Sequence, residues 1–152
     1  MRVGDFCTRE PVVIPAHASL RAAAMEMRNR HVGALIVVDE ARKPVGILTD
    51  RDIVVAVIAV PGARPEGVRV CDAMSGRLAV AHEDDGVFEA VEKMSERGVR
   101  RLPVVAADGT LAGILTADDV QRMVAAELGR LAEALKKGSE RELAERRSLD
   151  VF

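Results

Sequence analysis

The feature that most constrains this chain is an internal repeat. Shifted by 67 residues, the sequence aligns with itself without a gap, with 17 identities in the 57 positions from Val3 to Ala59. Val3-Gly4-Asp5 falls on Val70-Cys71-Asp72. Val32, Leu35, Val37 and Val38 fall on Val99, Leu102, Val104 and Val105. Gly46-Ile47-Leu48-Thr49 falls on Gly113-Ile114-Leu115-Thr116, and Asp52 on Asp119. A gapless register means that loop lengths are shared, so both copies must follow one backbone path. A unit this short buries too little surface to be comfortable alone. Two copies, each with one apolar sheet face, are expected to pack on each other and leave a cleft suited to a small ligand.

Each copy carries the same pattern. Extended segments are expected at Val12–Ile14 and Leu78–Val80. A helix follows, with Leu20, Ala23, Ala24 and Met27 at i, i+3, i+4, i+7 behind a Ser19 N-cap, repeated by Val87, Ala90, Val91 and Met94. Two apolar runs then flank a polar loop: Leu35–Val38 and Val45–Leu48, then Leu102–Val105 and Ala112–Leu115, where Asp108-Gly109 signals a hairpin. A second helix begins near Asp50 or Ala117. The fold class is α/β (α+β), with two β-α-β-β-α units. The copies are placed at 1–60 and 70–127, joined by a Pro- and Gly-bearing linker at 61–69 and followed by a helical tail at 128–152. In that tail Val124, Leu128, Leu131 and Leu135 form a seam, and Gly138 reads as a stop.

Composition narrows the function. With 22 Lys+Arg against 24 Asp+Glu the net charge is −2, and there are three Phe, no Trp and no Tyr. Neither a positive field nor a stacking platform is present, so no nucleic-acid partner is expected. The longest apolar run, Ile53–Val60, is far short of the ~20 residues a membrane helix needs. The N-terminus has no apolar signal segment, so a cytoplasmic protein with no membrane partner is expected. Cys7 and Cys71 read as two small semi-buried thiols rather than a disulfide or metal site. His17, His31 and His82 are scattered, and no metal is expected. No phosphate-binding glycine loop and no nucleophile motif occurs, so no enzyme activity is expected.

The residues that could carry chemistry close the hairpins. Both copies end in Gly-Ile-Leu-Thr-x-x-Asp, at Gly46–Asp52 and Gly113–Asp119. Thr-x-x-Asp is an N-cap arrangement, and capping alone accounts for it. The same geometry holds a carboxylate ready to accept two hydrogen bonds from a ribose diol, with a hydroxyl and backbone N–H groups near a phosphate. Both readings stay open at this point.

The duplicated unit, with Val-Gly-Ala-Leu-Ile-Val-Val-Asp (32–39), Val-Arg-Arg-Leu-Pro-Val-Val (99–105) and the two Gly-Ile-Leu-Thr-x-x-Asp endings, resembles a tandem pair of cystathionine-β-synthase (CBS) domains, a stand-alone Bateman module. The resemblance implies a regulatory protein that binds adenosine-containing ligands: AMP, ADP, ATP, S-adenosylmethionine or NAD. The nucleotide would be a regulatory ligand, with no cofactor required. On that resemblance Asp52 and Asp119 match ribose-binding aspartates. Thr49 and Thr116 match hydroxyl residues on ribose or phosphate, and Ile47 and Ile114 match strand residues on the adenine. One site would join Ile47, Thr49 and Asp52 to Val80, Val99, Arg100 and Arg101. The other would join Ile114, Thr116 and Asp119 to Val13, Ile14, Pro15, Val32 and Gly33. Arg100-Arg101 replaces Gly33-Ala34, so the first site is expected to prefer anionic nucleotides. The second, without obvious cations, is expected to take a less charged adenosyl ligand or none.

The resemblance also implies a homodimer. Ile53, Val57, Ile58, Val120, Met123 and Val124 are the apolar helix residues expected to face the partner, with a further protein partner to receive the signal. The alternative is a module that keeps the fold for protein interaction without binding a ligand.

Overall fold

The computed structural model describes residues 1–149. The described residues fall into two compact units, Met1–Ala117 and a second that begins at Asp118. In the first, the elements run α1 (Val3–Phe6), β1 (Val13–Pro15), α2 (Leu20–Arg30), β2 (Ala34–Val38), β3 (Pro44–Thr49) and α3 (Asp50–Ile53). The repeat follows as α4 (Val70–Ala73), β4 (Ala81–His82), α5 (Val87–Arg97), β5 (Arg101–Val105) and β6 (Leu111–Thr116). Each copy forms a three-stranded sheet in the order β1-β2-β3 or β4-β5-β6. The first pair of strands is parallel and the second antiparallel in both.

The helices form where the apolar spacing requires. Ser19 Oγ accepts the Ala22 N–H at 3.1 Å, and Leu20, Ala23 and Met27 turn inward. In the second copy Val87, Ala90 and Met94 do the same, and the Gly86 N–H donates to Glu89 Oε2. Below α2 the core gathers Ile14, Leu35, Val37 and Leu48.

Three features depart from the sequence pattern. First, each copy opens with an additional short helix, α1 or α4, and these are exchanged. The α1 segment lies on the second sheet, with the Val3 N–H donating to Asp85 O and the Gly4 N–H to Glu83 O. The α4 segment lies on the first, where Val70 is fully buried and its N–H donates to Ala18 O. Beyond each helix the chain makes a two-way backbone bridge to the opposite hairpin. Thr8 pairs with Ile114 and Ser75 with Ile47.

Second, β4 begins at Ala81 rather than Leu78. In the first copy the Ile36 N–H donates to Val12 O at 3.0 Å and extends the pairing backward. The matching residue is Pro103, which has no N–H to give. Third, the strand-ending helix of the first copy continues from α3 into a π-helical turn, Val54–Ile58.

The second unit is carried by α6 (Ala117–Leu149), a single helix that does not stop at Gly138. Glycine in a helix interior costs about 1 kcal/mol relative to Ala. Neighbouring pairs spaced for a helix accompany it, Lys137 with Glu133 and Arg141 with Glu145. Leu128, Leu131, Leu135 and Leu143 are exposed along it. Of the residues expected to face a partner, Ile58 is 77% exposed, whereas Val57, Val120 and Met123 are buried. Cys7 is buried, Cys71 is partly so, and both are free thiols. No helix among the described residues is long and apolar enough to cross a membrane.

The bridges explain the motif glycines. A Cβ on Gly113 would lie 2.7 Å from Thr8 O and 2.8 Å from Cys7 Sγ. On Gly46 it would lie 2.5 Å from the flexible Met74 Sδ and 3.0 Å from Ser75 O. Gly113→Ala is expected to destabilise by about 1–3 kcal/mol, in the range of overpacking. Gly46→Ala is expected to cost less, because a methionine tip can move. Equal midpoints for the two variants in urea melts would contradict this account.

Turn glycines test the repeat differently. His31 and Arg42 have φ of 55° and 58°, and their repeat partners Gly98 and Gly109 have φ of 63° and 84°. Only glycine adopts this region without strain. His31→Gly and Arg42→Gly are each expected to stabilise by about 0.5 kcal/mol, after allowing for the greater chain entropy of glycine. A fall in urea midpoint for both variants would argue against strain there.

Candidate functional site

Thr49 ends β3 and Asp52 sits in the first turn of α3. The Asp52 N–H donates to Thr49 Oγ1 at 3.2 Å, and the Thr49 N–H donates to Asp52 Oδ2 at 2.7 Å. This is a complete capping box. It orients the carboxylate through Oδ2 and directs the pair to the open end of the strand, where a cavity begins.

That cavity has a volume of about 250 Å³. Ile47, Thr49 and Asp52 come from the first copy, and Ser75, Arg77, Leu78, Ala79, Val99, Arg100 and Arg101 from the second. Its walls are aliphatic at Ile47, Leu78, Ala79 and Val99. Its charged lining residues are three arginines and one aspartate. Six of the seven residues expected together are gathered here; Val80 is not among the lining residues. Val80 O instead accepts a hydrogen bond from Lys93 Nζ at 2.9 Å. The same ammonium lies 3.4 Å from Asp85 Oδ2. Partial burial of the Asp85 carboxyl opposes ionisation, but the His82 N–H and the Lys93 charge outweigh it and hold the carboxyl below its ordinary value.

A second cavity, of about 290 Å³, is related to the first by the repeat. Thr8, Glu10, Pro11 and Val12 stand where Ser75, Arg77, Leu78 and Ala79 stand in the first. Val32, Gly33 and Ala34 replace Val99, Arg100 and Arg101, and Ile114 and Thr116 replace Ile47 and Thr49. Four expected residues, Val32, Gly33, Ile114 and Thr116, line this cavity. Val13, Ile14 and Pro15 do not. Ile14 is buried in the core, while Val13 and Pro15 border separate surface grooves. Asp119 belongs to the second unit, on α6, and is ion-paired with Arg122.

In both cavities one wall comes from the residues that precede β1 or β4, not from β1 or β4 itself. Bridge pairing carries Thr8–Val12 and Ser75–Ala79 across the opposite hairpin, and the strand residues that follow turn to the sheet. Sequence reasoning therefore missed Arg77 and Glu10. Their opposite charge at one repeat position was a visible signal, but nothing local placed that position at a cavity. One expectation needs correction. The second cavity does not lack a cation, because Arg101, at the start of β5, lines it as well as the first.

Residues 3–59 and 70–126 each match the CBS domain family. The chain belongs to the CBS domain family. An uncharacterised protein of Methanopyrus kandleri is 34% identical over 138 residues, covering 91% of this chain and 70% of that protein. Hypoxic response protein 1 of Mycobacterium tuberculosis is 32% identical over 122 residues, 80% of either chain. A crystal structure of hypoxic response protein I with two coordinated zinc ions matches with a TM-score of 0.72 and 30% identity, over 80% of this chain and 98% of that one. A CBS domain pair solved in complex with 5′-methylthioadenosine and S-adenosyl-L-methionine matches with a TM-score of 0.71 and 29% identity, over 84% and 98%. The cytosolic domain of a Mg²⁺ channel in complex with ATP matches with a TM-score of 0.69 and 27% identity, over 80% of this chain and 48% of that one. Among the described residues of the present CBS pair, no group of three or more His, Cys, Asp or Glu side chains could hold a metal ion.

Proposed function

We propose that this CBS pair is a non-enzymatic regulatory protein of the cytoplasm that binds an adenosine nucleotide in the first cavity. The observation that carries this reading is the cavity's distribution of chemistry. Aliphatic side chains at Ile47, Leu78, Ala79 and Val99 suit an adenine where no aromatic ring is available. Asp52, oriented by its capping box, suits a ribose diol through its remaining oxygen. Arg77, Arg100 and Arg101 suit phosphates, since each can donate two parallel hydrogen bonds to one anion. The CBS domain pair solved with S-adenosyl-L-methionine and the channel's cytosolic domain solved with ATP support an adenosyl ligand for this chain. The second cavity, with Glu10 and Gly33 in place of two arginines, suits a less charged adenosyl ligand.

Residues 1–60 and 70–127 act as the two ligand-binding copies in this proposal, with 61–69 as linker and 128–152 as tail. Binding regulates only if the ligand favours one of two arrangements of the protein. We propose a homodimer as the assembly that carries the signal, with exposed Val54, Val55 and Ile58 as candidate contacts and a further protein partner as receiver. The interaction-only alternative predicts no ligand at all.

Calorimetric titration of AMP and ATP decides between them. Asp52→Ala and Arg100→Ala are each expected to weaken ATP binding at least tenfold, the effect of losing about 1.5–3 kcal/mol of charge-assisted hydrogen bonding. Arg100→Ala should affect adenosine by less than twofold. Absence of heat and of any thermal shift with millimolar AMP, ATP, S-adenosylmethionine or NAD would favour the interaction module.

A further inference from the structure

We propose that Arg101 is shared by the two cavities and couples them, so that an anionic ligand in one weakens anion binding in the other. The proposal rests on the nucleotide reading of the first cavity and adds a regulatory property to it.

Arg101 is the one residue that lines both cavities. It opens β5 and is exposed. Its neighbours Val99 and Arg100 line the first cavity. Its backbone partner across the sheet is Thr116, which lines the second. Arg101 is therefore among the lining residues of both spaces. The repeat counterpart is Ala34, paired with Thr49, and it brings no charge. Two symmetric cavities therefore have one such guanidinium between them.

The remaining charges make this sharing consequential. The first cavity keeps Arg77 and Arg100 whether or not Arg101 is engaged there. Arg101 is the one cationic side chain among the residues lining the second, where Glu10 replaces Arg77 and Gly33 replaces Arg100. A Cβ on Gly33 would stand 3.1 Å from Asp50 Oδ2, so a carboxylate occupies the space beside the missing arginine. A guanidinium fork can pair bidentately with one phosphate at a time. A polyphosphate in the first cavity that engages Arg101 leaves the second with Glu10 alone, which repels an anion. By linkage the effect is reciprocal. An uncharged adenosyl ligand makes no claim on Arg101 and is not coupled.

The test uses the full chain, with ATP and adenosine as probes in calorimetry. The second ATP is expected to bind wild-type protein about tenfold more weakly than ATP binds the second cavity of Asp52→Ala, in which the first is disabled. In Arg101→Gln, compared with Arg101→Gln/Asp52→Ala, that gap should fall below twofold. Arg101→Lys, which keeps the charge, should retain part of it, and adenosine should show no gap in any variant. Thermal melts confirm that each variant is folded. A gap that persists in Arg101→Gln, an equal gap for adenosine, or no ATP bound by Asp52→Ala would overturn the coupling while leaving the nucleotide reading intact. No ATP binding to the wild-type chain would overturn both.

Discussion

The structure of the first unit depends on a reciprocal exchange of short helices. Each copy sends its opening helix to the other's sheet, buries one valine there, and returns across the opposite hairpin through a two-way backbone bridge. Val3 and Val70 are both fully buried. Removing either copy would expose the other's apolar surface to water and leave the bridge hydrogen bonds unmade. The exchange also accounts for the motif glycines. Gly46 and Gly113 lie where the incoming chain presses on the strand, and a side chain there would overlap its atoms. What reads as a family motif is, at these positions, a packing requirement.

The same exchange builds the two cavities. The segment carried across each hairpin becomes one wall, the strand end becomes another, and the turn before the opposite central strand closes the third side. Because the backbone obeys the repeat, the cavities have corresponding linings. Because the side chains do not, they differ in charge. Arg77 against Glu10 and Arg100 against Gly33 give one backbone two electrostatic characters. Arg101 departs from this pairing, since it borders both cavities. A duplicated fold has in this way acquired two unlike cavities and a lining residue common to them.

Much of the fold was legible in the sequence. Helices at Leu20–Arg30 and Val87–Arg97 follow from apolar spacing, and the hairpins follow from paired apolar runs around turn residues. Thr49 with Asp52 was legible as a cap, and the capping box forms. Three features were less legible. Pro103 shortens the strand pairing of the second copy, an effect that requires knowing which strand lies beside it. The helices α1 and α4 are four residues each, too short for periodicity to reveal. Gly138 signals a stop on local grounds, yet helical geometry continues through it, because one glycine costs less than the surrounding turns contribute.

The sequence alone determined the duplication and the class of fold, because gapless repetition and apolar spacing can be read directly along the chain; the candidate ribose and adenine residues rested on the family resemblance. Tertiary structure decided which residues face the cavities. Val13, Ile14, Pro15 and Val80 were displaced from those linings by Pro11, Val12, Leu78 and Ala79, and Arg77 and Glu10 were added. The reason is that cavity walls are set by bridges between residues about a hundred or thirty positions apart, Thr8 with Ile114 and Ser75 with Ile47. No local pattern encodes which side of a crossing segment will face a gap between two sheets. The same holds for Arg101, whose place at both cavities follows from the pairing of β5 with β6 and not from the residues beside it.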